Sequence, residues 1–198
     1  MSRFERGRAR RKDYGDRRAE IKALATRVFA EKGYHGTSIT DIARACDTVK
    51  SRLYYYFPSK ADLLFEILQD HAGFLQDRLL PLLETPGPAR DKLQAYATAL
   101  IRINIEHRAQ HKLILSEIDV LDGEQAARIR ARLRTTVEAL YPVLAEIRQE
   151  DQDNAFAAAM MFVGMINWTH TWYRADGTLE PEAYARRVCE TFLEGYCA

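Results

Sequence analysis

The sequence predicts an all-α fold, with a three-helix N-terminal head on a larger helical body and about nine helices in all. Three observations carry this. Apolar residues recur three or four apart from Ile21 to Leu193, and no segment alternates with the two-residue period of a strand. Two Ser-x-x-Asp capping boxes, Ser38–Asp41 and Ser59–Asp62, mark helix starts. Breakers cluster at a few places: Gly33, Asp47-Thr48, Thr85-Pro86-Gly87-Pro88 and Asp122-Gly123.

Residues 1–16 are charged and poor in apolar groups, and are expected to form a disordered basic arm. Its Arg6, Arg8, Arg10, Arg11 and Lys12 suit a minor groove or phosphates, or simply solvent. The first firm helix is expected from Arg17 to Lys32, with Ile21, Leu24, Ala25, Val28 and Phe29 on one face and Gly33 as its C-cap. Ser38 then caps a helix whose buried face is Ile39, Ile42, Ala43 and Cys46. Asp47 is a residue that tolerates left-handed backbone, so Asp47-Thr48 reads as a tight turn. The next helix, Val49 to Tyr56, stops where Phe57 precedes Pro58. The head thus spans residues 17–62 and the body residues 63–198.

In the body, a long helix carries Leu63, Leu64, Ile67, Leu68, Phe74 and Leu75 towards Pro81. A second follows from Ala89 to His107, a shorter one from Gln110 to Leu121, and a long one from Glu124 to Gln149 with a kink expected at Pro142. The stretch from Asn154 to Arg174 is apolar almost all round, so it should be buried on more than one side. Pro181 opens a last helix that runs to Gly195. Two such apolar helices at the end of a small chain point to a homodimer.

The formal net charge of +1 hides an asymmetry. Residues 1–60 hold 15 Lys/Arg against 7 Asp/Glu, a net +8, and the remainder carries −7. A basic end on an acidic body is the footprint of a DNA reader with a second module, and it excludes a packaging protein that is basic throughout. The helix at 49–56 fits that role. Lys50, Ser51, Arg52, Tyr54, Tyr55 and Tyr56 present cations and hydroxyls, while only Leu53 is free to enter a core. A major groove admits one such helix. A solvated basic helix in an ordinary bundle is the plainer alternative.

No apolar run reaches the length of a membrane span or resembles a signal peptide, so the expectation is a cytoplasmic protein with no membrane partner. Cys46, Cys189 and Cys197 lack metal-ligand spacing, and no cofactor is called for. An enzyme is the rival from another class: His107 and His111, four apart, could share a metal. No phosphate loop or nucleophile–base arrangement accompanies them, so the chain reads as a non-enzyme.

The run from Arg18 to Asp62, with FAEKGYHGTSITDIA and LYYYFPSKADL at their observed separation, resembles the helix-turn-helix domain of TetR-type transcriptional regulators. The resemblance implies a homodimer on a palindromic operator, with the last two helices forming a four-helix interface. With the residues above, it gives Thr37, Ser38, Thr48, Val49, Lys50, Ser51, Arg52, Tyr54, Tyr55, Tyr56 and Lys60 as DNA-contact candidates. Two departures stand out. Asp47-Thr48-Val49 replaces the usual Gly-Val-Ser, so the serine cap at position 49 is missing. Arg52 replaces a frequent Thr, and a bidentate Arg favours guanine.

The segment NWTHTWYRADGTLEPEAYA is similar to the C-terminal signature of TetR-type repressors that respond to acyl-CoA thioesters in fatty-acid, aromatic-acid or steroid breakdown. Trp168, Trp172, Tyr173, Gly177 and Pro181 match it, and Glu180 replaces a Ser or Thr. The resemblance implies an acyl-CoA effector, its chain in the body and its phosphates on Arg or Lys: Arg174, or Arg78, Arg102, Arg108 and Lys112. Helical phase adds Tyr96, Leu100, Ile103 and Asn104, then Leu113, Ser116 and Glu117, as pocket walls. Met161, Met165, Trp168 and Trp172 join them as adaptable apolar surface. Both Trp residues are equally suited to a core or a dimer interface. A regulator of efflux or stress genes sensing a hydrophobic drug or free acid is the alternative reading.

Overall fold

A computed structural model describes residues 3–148, 155–174 and 176–196. The order is α1 (Arg3–Lys32), α2 (Ile39–Ala45), α3 (Lys50–Tyr56), α4 (Lys60–Glu84), α5 (Ala89–Glu106), α6 (Arg108–Ser116), a 3-10 turn (Ile118–Val120), α7 (Gly123–Glu138), α8 (Tyr141–Arg148), α9 (Ala155–Asn167), α10 (Thr169–Trp172) and α11 (Pro181–Tyr196). No strand occurs among the described residues, as the all-α expectation requires.

Local chemistry sets the head. Ser38 caps α2 with the reciprocal box: Asp41 N–H donates to Ser38 Oγ at 3.1 Å, and Ser38 N–H donates to Asp41 Oδ2 at 2.9 Å. Those bonds from Ser38, with Lys32 beside them, hold the Asp41 carboxyl well below the usual carboxylate range. Asp47 adopts φ 47°, the left-handed turn residue between α2 and α3. Val49 caps α3 with no side-chain bond. Ser59 caps α4 by accepting from Asp62 N–H at 3.0 Å.

Two apolar cores are stacked along α4. The lower core joins Ile21, Phe29, Ile42, Leu53 and Leu64 of the head with Leu113, Ile114, Ala126 and Ile129 of α6 and α7. The upper core joins Leu75 and Leu79 of α4 with α5, α8, α9 and α11. The head therefore has no core of its own, because α6 and α7 complete it. His71 sits where α4 passes from one core to the other.

Several elements depart from the sequence expectation. The first helix begins at Arg3, so residues 3–16 are helical rather than a disordered arm. Arg, Lys and Glu are good helix formers, and extending a helix already nucleated over 17–32 adds a bond per residue with no new nucleus. Met1 and Ser2 lie outside the described residues. The long helix expected to kink at Pro142 divides completely, with a turn at Ala139–Leu140 between α7 and α8. Pro142 has no N–H for the Glu138 carbonyl and its ring crowds that carbonyl, which breaks the helix one turn upstream. The apolar stretch divides too, at Trp168, and its beginning at Asn154 lies outside the described residues.

Candidate functional site

The head offers one exposed surface of the expected kind. Leu53 anchors α3 at 2% exposure, while Val49, Lys50, Ser51, Arg52, Tyr54 and Tyr55 face outward. Tyr56 is half-buried. A residue the sequence reading missed, Tyr14 of α1, stacks on Tyr56 with ring centroids 4.8 Å apart and meets Tyr55 edge-on at 5.7 Å. Its signal was hidden by the assumption that residues 1–16 carry no structure.

Three other candidates are bonded within the head. Thr37 is buried and its hydroxyl donates to the Gly33 carbonyl at 2.7 Å. The Ser38 hydroxyl is engaged with Asp41. Lys60 donates to the carbonyls of Tyr34 at 2.9 Å and Thr37 at 2.8 Å, and lies 4.0 Å over the Tyr34 ring. It clamps the α1–α2 loop to the start of α4. Thr48 is half-buried, with its N–H on the Ala43 carbonyl at 2.9 Å.

The body holds a partly open cavity of about 90 Å³ between α4, α5, α6, α7 and α9, with the exposed Leu115 at its rim. Tyr96, Leu100, His111, Thr136, Val163 and Asn167 are among its walls, and no charged side chain lines it. Tyr96 donates its hydroxyl to the Thr136 carbonyl at 3.1 Å, which fixes its ring in the wall. Asn104 lies one turn beyond Leu100 on the same face of α5, 1% exposed, with both amide atoms unpaired. Both ring nitrogens of His111 and Nε2 of His71 are unpaired as well.

Four of the chain's five histidines gather here. Ring centroids lie 6.2 Å apart for His71–His107, 6.3 Å for His71–His111 and 5.8 Å for His111–His170. His107 also lines an open groove of about 480 Å³ between α4 and α5, walled by Phe74, Ile103, Arg78 and Arg102. The histidines thus run from that groove to the cavity wall. Among the described residues no group of three or more His, Cys, Asp or Glu is placed to hold a metal.

The remaining ligand candidates lie elsewhere. Leu113 is buried in the lower core. Ser116 is exposed, and Glu117 lies by Tyr34 of the head at 3.5 Å. Arg174 is exposed and paired with Asp176 at 3.0 Å, and Lys112 donates to the Ala30 carbonyl at 2.6 Å. Arg108 reaches only the Tyr173 carbonyl, at 3.5 Å. Met161 is 66% and Trp168 65% exposed, with Trp172, Phe156 and Met160 also outward, while Met165 packs against the upper core. Helical phase alone cannot say which side of an all-apolar helix faces inward; here Phe162, Val163 and Ile166 turn inward and Phe156, Met160 and Met161 turn outward.

Comparison with known proteins places this geometry. The family model for bacterial regulatory proteins of the tetR family matches residues 21–67, and that for the tetracyclin repressor-like C-terminal domain matches residues 86–196, more than half of the chain. The chain belongs to the TetR family. TetR-family proteins are transcriptional regulators that bind operator DNA as dimers and answer small-molecule effectors, not enzymes. A TetR-family regulator from Bordetella parapertussis 12822 is 36% identical, superposes with a TM-score of 0.85, and is covered over 95% of its length by 90% of this chain. AibR, solved with isovaleryl coenzyme A and operator DNA, is 26% identical with a TM-score of 0.77, over 90% of this chain and 97% of AibR. The transcriptional repressor KstR2 of Rhodococcus jostii is 27% identical over 90% of each chain. Among the described residues of this TetR-family chain, no helix is long and apolar enough to cross a membrane.

Proposed function

We propose that the chain is a homodimeric cytoplasmic repressor whose α3 reads each half of a palindromic operator, and whose effector is an acyl-CoA thioester. The observation that carries the effector reading is the pairing of a cavity with no charged side chain in its walls with an open groove bearing Arg78 and Arg102 beside a single carboxylate, Glu106. Acyl-CoA has the matching division, an apolar chain at one end and phosphates at the other. Arg78 is the freer cation, since Arg102 is shared with Glu182. AibR, similar over nearly its whole length, is known with isovaleryl coenzyme A.

DNA contact falls to Val49, Lys50, Ser51, Arg52, Tyr54 and Tyr55, with Thr48 and Tyr56 at the margin and Thr37, Ser38 and Lys60 supporting the head. The exposed row Phe156, Met160, Met161, Trp168 and Trp172 is the dimer face, since a monomer would leave that apolar surface in water. Ligand in the cavity would favour one packing of α4 against α5 to α7, and α4 continues into the lower core shared with the head. Release then requires the ligand to prefer the arrangement that misplaces the two α3 helices, and DNA must disfavour ligand by the same factor.

Thermal-shift screening with acyl-CoA thioesters of several lengths, free acids and cationic dyes tests the effector reading. Stabilisation by a thioester and none by the acids or dyes is the expected result. No shift with any thioester would overturn it and leave the DNA reading standing.

A further inference from the structure

The cavity between α4, α5, α6, α7 and α9 has a chemistry that nothing about the helix-turn-helix head requires. Its walls carry no Lys, Arg, Asp or Glu but include His111, 2% exposed with both ring nitrogens unpaired. Behind the wall, Asn104 lies one turn along α5 from the lining residue Leu100, and His71 lies 6.3 Å from His111 ring to ring; they are 1% and 4% exposed and bring the unpaired side-chain polar atoms to five. A buried polar atom without a partner costs its full desolvation penalty, so three such residues together are a standing demand for a partner. What partner fits? A carboxylate would bring a buried charge with no cation to meet it, and an ammonium would find no carboxylate. A neutral carbonyl oxygen, with two lone pairs, accepts from one Asn104 N–H and from the N–H of a neutral imidazole without adding charge. Burial holds His111 and His71 neutral at physiological pH, which keeps the wall uncharged.

Size restricts the ligand further. A cavity of about 90 Å³ is smaller than the roughly 150 Å³ void that takes a benzene ring, which leaves space for about four carbons.

We propose that this cavity is a site for a short neutral acyl group, with His111 and Asn104 donating to its carbonyl oxygen, so that the protein separates a short acyl thioester from the free acid and from long-chain or ring-bearing thioesters. The inference rests on the acyl-CoA reading above and sharpens it: of the CoA thioester, the carbonyl is the part recognised by direct donation, and His71 stands behind His111 as its neighbour rather than as a contact.

The test compares butyryl-CoA with S-butyl-CoA, its thioether analogue lacking only the carbonyl oxygen, in calorimetric titrations of the full chain. Wild type is expected to bind butyryl-CoA roughly tenfold or more tightly than the thioether, and palmitoyl-CoA more weakly than butyryl-CoA. In His111→Phe and in Asn104→Leu the preference for the carbonyl should shrink to about threefold or less, while His111→Gln, which keeps an N–H donor, should retain it. Should either apolar variant fail to fold, the wild-type ratio alone decides. Equal affinity for butyryl-CoA and S-butyl-CoA, or a preference for palmitoyl-CoA, would overturn this inference and leave the acyl-CoA reading intact. No binding of any CoA thioester would overturn both.

Discussion

Lys112 of α6 donates its ammonium to the backbone carbonyl of Ala30 in α1, at 2.6 Å, and so ties the effector-binding body to the DNA-reading head. The Ala30 carbonyl lies in the last turn of α1, where a cation is favoured by the helix dipole. Lys112→Met should cost about 0.5–1.5 kcal/mol of stability, since the bond is exposed. Its larger effect should be on coupling: butyryl-CoA should change operator affinity less in the variant than in wild type. Urea melts and fluorescence anisotropy with labelled operator, each with and without ligand, measure the two separately.

Tyr14 of α1 packs against α3 through Tyr55 and Tyr56. Removing it in Tyr14→Ala forfeits about 0.5–1.5 kcal/mol per aromatic pair and frees the far end of α3. Operator affinity should fall several-fold with the salt slope unchanged, because no cation is lost. Lys50→Ala should also lower affinity, but with the slope of log K against log salt reduced by about one as a phosphate contact disappears. Affinity series over a range of KCl concentrations separate the variants, and equal slopes for both would contradict the assignment.

Gly36 lies where the α1–α2 loop folds back on the end of α1, and a Cβ there would stand 2.4 Å from the Lys32 carbonyl oxygen. Backbone, not a movable side chain, must give way. Gly36→Ala should therefore destabilise the head by about 1–3 kcal/mol and loosen the Lys60 clamp on Tyr34 and Thr37. A fall in the urea midpoint with unchanged effector affinity is the expected outcome.

Burial, with the charge of His107 adding, pushes His71 down to about 4, and burial with His71 and His170 pushes His111 down to about 3. An unfolded imidazole titrates near 6.5, so below that pH the unfolded chain binds protons the native state refuses. Stability should then fall as pH drops below about 6.5, by up to roughly 1.4 kcal/mol per pH unit for each histidine, until each native pKa is reached. Urea midpoints at several pH values between 7.5 and 4.5 check this. His111→Phe should flatten the profile by about half.

Short-range signals in this chain were the most legible. The Ser38–Asp41 box, the left-handed Asp47, the stop at Phe57-Pro58 and the Gly33 turn are each dictated by a few neighbouring residues, and each stands where the sequence puts it. The outward face of α3 followed from its lack of any large apolar residue but Leu53 and the tyrosines. Features that depend on distant parts of the chain were not legible. Phase cannot show that α9 turns Met161 outward, nor that Lys112 and Glu117 reach the head. His71, His107, His111 and His170 come from three separate stretches, and only the spacing of His107 and His111 hinted at a shared place. There it suggested a metal, and the fold sets the rings about 6 Å apart, with His111 in the cavity wall and His107 in the neighbouring groove.

The central claim, that α3 grips an operator and ligand in the body loosens that grip, is tested most directly by anisotropy titrations of the full-length protein. The operator is a duplex selected by this protein from a random pool, and butyryl-CoA is absent or saturating. The account predicts a selected palindrome with half-sites about one helical turn (~34–36 Å) or a multiple apart, and a loss of affinity of roughly tenfold or more when ligand is bound. Selection of no common sequence, or the same affinity with ligand bound and absent, would contradict it.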